Sequence, residues 1–140
     1  KALTADGWLR TGDVGELDAD GYVYITGRTD DLIIRGGENI SPLEIEEVLE
    51  RHPKVKESCV IGRPDPEFGQ QPYAYCILRG GASATSAELM EYCREQLASF
   101  KRPRGIEFLD ELPRNSLGKI MRRDLSLRAT ETGHQTAKEA

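Results

Sequence analysis

Two helix-start signatures restrict the folds open to this chain. Residues 41–44 (Ser-Pro-Leu-Glu) combine a capping hydroxyl, a proline at the first helical position and a glutamate at the third, which form a capping box. Residues 85–88 (Thr-Ser-Ala-Glu) form a second capping box. The segment that follows it places Leu89, Cys93 and Leu97 on one helical face. The signatures therefore predict two amphipathic helices separated by non-helical chain.

The remaining apolar runs are short and rich in β-branched and aromatic residues, which is typical of strands. Residues 22–26 (Tyr-Val-Tyr-Ile-Thr) follow the turn-forming residues 18–21 (Asp-Ala-Asp-Gly), which predicts a β-hairpin. Further strands are predicted over residues 32–35, 56–61, 73–78 and 106–109, with loops or turns over 36–39, 62–72 and 113–118 and a short last helix over 120–127. The predicted fold class is α+β: a small mixed sheet with helices packed on it, preceded by the hairpin.

Composition and cysteine spacing exclude several classes of protein. The chain has a net charge of -5, which argues against general nucleic-acid binding. It has no apolar run of the ~20 residues that a membrane span needs. Cys59, Cys76 and Cys93 are odd in number and are evenly spaced 17 residues apart, which fits neither a disulfide framework nor a CxxC metal site. We therefore expect the protein to reside in a reducing cytoplasm.

Two further motif searches are negative, and one charge pattern is positive. Gly118-Lys119 lacks the Walker pattern, because position 113 is proline and position 120 is isoleucine. His52 and His134 have no cysteine or carboxylate at ligand spacing, so no metal site is predicted. Residues 101–128 carry eight Lys or Arg against four Asp or Glu, a net +4 that leaves -9 on the remainder. This band is either a local anion site or a solvated face that balances charge.

Four segments resemble the late core motifs of the adenylate-forming enzymes, a superfamily that contains acyl-CoA synthetases, peptide-synthetase adenylation domains and luciferases. Taken in order, from residue 8 to residue 120, they are residues 8–13 (Trp-Leu-Arg-Thr-Gly-Asp), 27–31 (Gly-Arg-Thr-Asp-Asp), 36–40 (Gly-Gly-Glu-Asn-Ile) with 44–46 (Glu-Ile-Glu), and 113–120 (Pro-Arg-Asn-Ser-Leu-Gly-Lys-Ile). The segments resemble those of AMP-forming acyl-CoA synthetases, and the closest resemblance is to the aryl-CoA ligases.

The resemblance implies a two-step reaction and a division into domains. A carboxylic acid and ATP give an acyl-adenylate and pyrophosphate, and CoA then displaces AMP. Residues 1–29 would be the terminal hairpin of a large N-terminal domain that is missing here, with the Mg²⁺ site in that domain. Residues 30–128 would be the mobile C-terminal domain, and residues 129–140 a small, polar tail that we expect to be disordered. The chain alone is then expected to be inactive, with the N-terminal domain of the same enzyme as its partner.

The same resemblance assigns residues to adenylation. Lys119 matches the lysine that approaches the acyl carboxylate and the α-phosphate. Asp13 matches an aspartate that accepts hydrogen bonds from the ribose hydroxyls. Arg28 matches an arginine that contacts the nucleotide, and Asp30 matches the hinge, where a few backbone dihedrals absorb the domain rotation.

The resemblance assigns a second set to CoA. Gly37 matches a glycine beside the pantetheine tunnel, where a side chain would block the thiol. Phe68 and Phe100 match an aromatic pair, and Arg102 and Arg104 match two basic residues that hold the CoA nucleotide; aromatic faces suit adenine and guanidinium groups suit phosphate. A core phenylalanine and a surface arginine remain alternative interpretations of these residues.

One position departs from the superfamily pattern. Many relatives have arginine where this chain has Asn39, and an amide cannot make a charged phosphate contact, so that role is not carried over. The apolar run 31–35 favours a CoA ligase over a peptide-synthetase domain. Two alternatives stay open: an adenylation domain that loads a carrier protein, and a stand-alone, non-catalytic module that binds CoA or a nucleotide. The intact loop 113–119 argues against the second.

Overall fold

The computed structural model describes residues 2–128, which begin with a separate two-stranded sheet. Strands β1 (Asp13–Leu17) and β2 (Val23–Arg28) pair antiparallel. Asp18 stabilises the turn between them, because its Oδ1 accepts hydrogen bonds from the backbone N–H groups of Asp20 and Tyr22, each at 2.9 Å. The predicted hairpin is confirmed.

A five-stranded mixed sheet follows the hairpin. Its strands are β3 (Ile33–Arg35), β4 (Glu38–Ile40), β5 (Val55–Asp65), β6 (Gly69–Leu78) and β7 (Ile106–Phe108). Strand β6 pairs antiparallel with β5 along one edge, and pairs with β3 and the parallel β7 along the other. The α+β prediction of a small mixed sheet is confirmed.

Helices cover both faces of this sheet. α1 (Pro42–Glu50) and α2 (Ser86–Gln96) pack on one face, where Leu49 and Leu89 are fully buried. Residues 122–128 are helical, and we call this segment α3. Its Leu125 is fully buried against the opposite face, beside Cys59 and Tyr75. Short 3₁₀ turns cover Thr29–Asp31 and Ser99–Lys101.

Two predicted loops are shorter than expected. The loop predicted over 62–72 is wrong for most of its length, because β5 and β6 form one long hairpin that turns only between Asp65 and Gly69. β5 is an edge strand, and an edge strand tolerates Pro64 because the N–H that proline lacks need not pair. The turn over 36–39 is likewise tighter, since β4 already begins at Glu38.

The predicted capping box of α1 does not form. Ser41 occupies the N-cap position, but its hydroxyl makes no capping hydrogen bond and donates instead to the carbonyl of Thr26 in β2. Glu44 pairs with Lys101 Nζ at 2.9 Å rather than with the cap. Ser41 also lies so close to Gly27 that a Cβ there would come within 2.8 Å of the Ser41 hydroxyl. A side chain at position 27 would therefore displace the Ser41 hydroxyl.

The cap of α2 forms as predicted, and its removal is expected to destabilise the fold. Thr85 Oγ1 accepts a hydrogen bond from the backbone N–H of Glu88 at 3.2 Å. Thr85→Ala should lower the free energy of unfolding by about 1 kcal/mol, measured by urea denaturation. Ser86→Ala, at the next exposed position, is the control and should change it by less than about 0.5 kcal/mol. Equal losses would show that Thr85 does not act as a cap.

The remaining expectations concern the ends of the chain and the membrane. The tail 129–140, predicted to be disordered, lies outside the described residues. Within residues 2–128, no helix combines the length and the apolar character needed to cross a bilayer.

Candidate functional site

A cavity of about 740 Å³ lies where the hairpin, the start of α1 and the segment 113–123 meet. Three of the four adenylation candidates line it: Arg28 at the end of β2, Asp30 in the 3₁₀ turn and Lys119. These residues come from separate parts of the sequence and share one space.

The fourth adenylation candidate reaches this group through an ion pair. Asp13 Oδ1 accepts a hydrogen bond from Arg28 Nη1 at 3.1 Å, and Arg28 Nη2 donates to the carbonyl of Thr11 at 3.2 Å. The β1–β2 register explains the pairing, because Asp13 lies directly opposite Arg28. Asp13, Arg28, Asp30 and Lys119 are called the adenylation cluster below.

Lys119 stands on a closed loop, residues 113–121, which we call the lysine loop. Its ends meet, since Met121 N–H donates to the carbonyl of Pro113 at 2.8 Å. Inside it, Asn115 Oδ1 accepts hydrogen bonds from the backbone N–H groups of Leu117 at 3.0 Å and Lys119 at 2.9 Å. Among residues 2–128, no carboxylate lies within 4.0 Å of Lys119 Nζ. The backbone of Lys119 is held, and its ammonium is not neutralised by a described partner.

Arg114 attaches this loop to the sheet. Its Nη2 contacts Glu57 Oε1 of β5 at 2.5 Å, and its Nη1 donates to the carbonyl of Gly118 at 2.8 Å. One guanidinium therefore links the strand to the residue that precedes Lys119.

Two of the CoA candidates lie beside each other. The turn that contains Gly37 contacts the loop of Phe68, because Gly36 N–H donates to the carbonyl of Phe68 at 2.8 Å. The Arg35 guanidinium lies 4.0 Å above the Phe68 ring, within cation–π range. Gly37 has a φ of +86° with open space around its Cβ position, so a side chain there would strain the backbone without a clash inside this chain.

Arg104 is exposed and lies near the same loop. Its backbone N–H donates to the carbonyl of Pro72 at 2.8 Å. The pKa of Asp65 is lowered, first by the hydrogen bond from Phe68 N–H and, among smaller causes, by the charge of Arg104. Gly37, Phe68 and Arg104 therefore face one end of the β5–β6 hairpin.

The other two CoA candidates are engaged at the end of α2. Arg102 donates from Nε to the carbonyl of Leu97 at 3.0 Å and from Nη2 to that of Arg94 at 3.1 Å, so its guanidinium satisfies helix-end carbonyls. Phe100 is half-buried against the main core. The structure does not place these two side chains against Gly37.

Sequence reasoning missed Arg122, which lines the cavity and forms several hydrogen bonds and ion pairs. Arg122, at the start of α3, binds both carboxylate oxygens of Glu46 and approaches Asp31. A signal for it exists, since Glu46 lies beside Ile45 on the buried face of α1. A carboxylate in such a position requires a basic partner.

The chain matches one family and many relatives. Residues 44–119 match the family described as the AMP-binding enzyme C-terminal domain. A sulfoacetate–CoA ligase from Cupriavidus necator is 51% identical over 122 residues, covering 87% of this chain and 24% of that relative. A 2-succinylbenzoate–CoA ligase from Geobacillus kaustophilus is 51% identical over 119 residues, covering 85% and 24%. The chain thus spans about a quarter of the length of the curated relatives it matches.

Solved structures agree. The o-succinylbenzoate CoA synthetase from Bacillus subtilis, in complex with its acyl-adenylate intermediate, superposes with a TM-score of 0.81 at 48% identity over 89% of this chain and 25% of that one. An anthranilate CoA ligase in complex with anthranoyl-AMP superposes with a TM-score of 0.82 at 42% identity, over 91% and 25%.

Proposed function

The chain belongs to the AMP-binding enzyme C-terminal domain family, and from this premise we propose that it is the C-terminal portion of an ATP-dependent, AMP-forming acyl- or aryl-CoA ligase. The named relatives support CoA, rather than a carrier protein, as the acceptor. The observation that carries the proposal is the shared cavity that Arg28, Asp30 and Lys119 line. We call this chain together with the N-terminal domain that we propose precedes it the complete enzyme.

In the first half-reaction, a substrate carboxylate attacks the α-phosphorus of ATP, and pyrophosphate leaves to give the acyl-adenylate. We propose that the Lys119 ammonium stabilises the negative charge that develops between the carboxylate and the α-phosphate. The held backbone of the lysine loop supports this role, because it fixes the point from which the Lys119 side chain reaches the cavity. Asp13 would accept hydrogen bonds from the ribose hydroxyls, and Arg28 would hold Asp13 in place while contacting the nucleotide.

In the second half-reaction, the thiol of CoA attacks the acyl carbonyl, and AMP leaves. We propose that Asp30 is the hinge that reorients the domain between the two steps, with 1–29 belonging to the large domain and 30–128 rotating. Gly37 would then border the thiol path, Phe68 would stack on the nucleotide and Arg104 would bind phosphate. Phe100 and Arg102 would join them only after side-chain rearrangement, because Arg102 now donates to helix carbonyls.

Two further assignments, the Mg²⁺ site and the cellular compartment, do not involve these residues. Mg²⁺ would accompany ATP in the N-terminal domain. The thiols of Cys59, Cys76 and Cys93 are free, which supports a reducing compartment such as the cytoplasm.

The test begins with the intact mass of the native protein. We expect a chain several hundred residues longer than 140, with acid-dependent exchange between pyrophosphate and ATP and CoA-dependent release of AMP. The acids named by the relatives, sulfoacetate and 2-succinylbenzoate, start the substrate panel. AMP release that requires a carrier protein instead of CoA would reassign the acceptor. A native product that starts near residue 1 and binds CoA without turnover would replace the ligase proposal with a binding module.

A graft measures what this chain contributes by itself. The matching quarter of the Geobacillus kaustophilus ligase is replaced by this chain, and thioester formation from 2-succinylbenzoate is followed. We expect the graft to be active, and the 140-residue chain alone to be inactive because most of the ATP site lies elsewhere. Turnover by the isolated chain would contradict the proposed division between domains.

A further inference from the structure

Arg122 joins three elements that are distant in sequence. Its guanidinium binds both carboxylate oxygens of Glu46 in α1, with Nη2 to Oε2 at 3.1 Å. Its Nη1 also donates to the carbonyl of Val60 in β5 at 2.9 Å. Its Nε lies 3.6 Å from Asp31 Oδ2, one residue after the proposed hinge. One side chain therefore contacts a helix, a strand and the hinge segment.

Glu46 is buried in this ion pair, and Arg122 is partly buried. The Glu46 side chain is 9% exposed and that of Arg122 is 24% exposed, and Glu46 Oε1 additionally accepts from Val60 N–H at 2.9 Å. Burial acts to lower the pKa of Arg122, but the hydrogen bonds and charge of Glu46, helped by the charge of Asp31, outweigh it and raise the pKa, so the arginine stays charged. A buried ion pair contributes little net stability compared with apolar packing, so its value lies in fixing geometry.

The lysine loop is attached at both ends. Arg114, near its start, binds Glu57 of β5, and Arg122 directly follows its last residue. Between the two anchors, the loop presents Lys119 three residues before Arg122. A displacement of Arg122 would therefore move the Lys119 backbone as well.

We propose that Arg122 is a positioning residue for Lys119: by binding Glu46 and Asp31 together, it fixes the lysine loop to α1 and to the hinge segment, so that the ammonium keeps one place in the cavity and moves with the rotating domain. The inference rests on the proposed function for the role of Lys119. Arg122 itself touches no substrate in it.

The first arm of the test uses the 140-residue chain and hydrogen exchange. Arg122→Lys keeps the charge but loses the planar fork that binds two carboxylates at once. The amides of Leu117 and Lys119, which donate to Asn115, are expected to exchange about tenfold faster, while amides of the β5–β6 ladder stay unchanged. Arg94→Lys, which alters an exposed pair on α2, is the matched control and should leave the loop amides as they are.

The second arm uses the two half-reactions of the complete enzyme. Arg122→Lys is expected to slow acyl-adenylate formation by up to about 10²-fold, and to leave thioester formation from supplied acyl-adenylate within about twofold. In a Lys119→Ala background, the same substitution should cause no further loss, because both changes remove one effect. Should Arg122→Lys not fold, Asp31→Asn keeps the pair with Glu46 and should loosen the loop by a smaller factor.

The outcomes separate the two proposals. Unchanged exchange in the loop, faster exchange throughout the chain, equal losses in both half-reactions, or losses that multiply in the double variant would each overturn the role of Arg122. A complete enzyme that forms no acyl-adenylate would refute the proposed function, and the exchange arm would then decide alone whether Arg122 holds the lysine loop.

Discussion

Acyl-adenylate formation by the complete enzyme should fall by about 10²–10³-fold when Lys119 is replaced by alanine. The ammonium lines the cavity, has no carboxylate partner among residues 2–128, and stands on a loop whose backbone is fixed by Asn115. A donor of this kind stabilises charge without first breaking another interaction. The fold should be unaffected, because the side chain is exposed and Asn115 contacts only its backbone.

Comparing the two half-reactions of Lys119→Ala shows whether the lysine acts in adenylation alone. Thioester formation from supplied acyl-adenylate should remain close to the rate of the unaltered enzyme, since the α-phosphate has already reacted. Lys56→Ala, an exposed lysine on β5, is the matched control and should change neither half-reaction. Equal losses in both half-reactions after Lys119→Ala would mean that the lysine supports binding or structure rather than adenylation.

Stability should fall steeply at alkaline pH because three thiols are buried. Burial raises the pKa of Cys59 and Cys76 from 9.0 to about 12, and that of Cys93 to about 11. The unfolded chain therefore loses these protons first, so stability is full below pH 9 and falls as the pH rises from 9 towards 12. Between pH 8 and pH 10, each thiol should lower the free energy of unfolding by about 1.4 kcal/mol, and the three together should lower it by roughly 4 kcal/mol.

Urea denaturation at pH 8, 9 and 10 measures this loss. Cys93→Ala removes one thiol and should reduce the thiol-dependent part of the slope by about a third, although the variant is less stable at every pH. Other groups that titrate in this range contribute equally to both proteins and cancel in the comparison. If the two slopes coincide, the Cys93 thiol does not contribute as a buried acid.

The fold was largely predictable because its strongest signals are local. The cap and apolar face of α2 lie within a dozen residues, and the turn at 18–21 determines its own hairpin. The predicted cap of α1 does not form because of a non-local contact. The Ser41 hydroxyl donates to the carbonyl of Thr26, 15 residues away. The prediction of a loop over 62–72 was wrong because it rested on the proline and glycine content alone. Pairing with β6 keeps the edge strand β5 extended through most of this segment.

Part of the candidate site was also predictable from the sequence, and part was not. Motif resemblance identified residues, and the structure groups Arg28, Asp30 and Lys119 around one cavity with Asp13 attached. The roles of these residues remain predictions until the half-reactions are measured. The position of Glu46 on the buried face of α1 indicates that a basic partner is needed, but it does not identify Arg122, which lies 76 residues away among eight Lys or Arg in residues 101–128.

The hydrogen bond from Ser41 to Thr26 joins the hairpin to the body that carries Lys119. A neutral hydrogen bond contributes only about 0.5–1.5 kcal/mol net, because water replaces the lost partner. Exchanging it for water would change the ratio of two domain orientations by only about two- to twelvefold. A ligand in the cavity whose affinities for the two proposed orientations differ by more than this factor would therefore decide which orientation predominates.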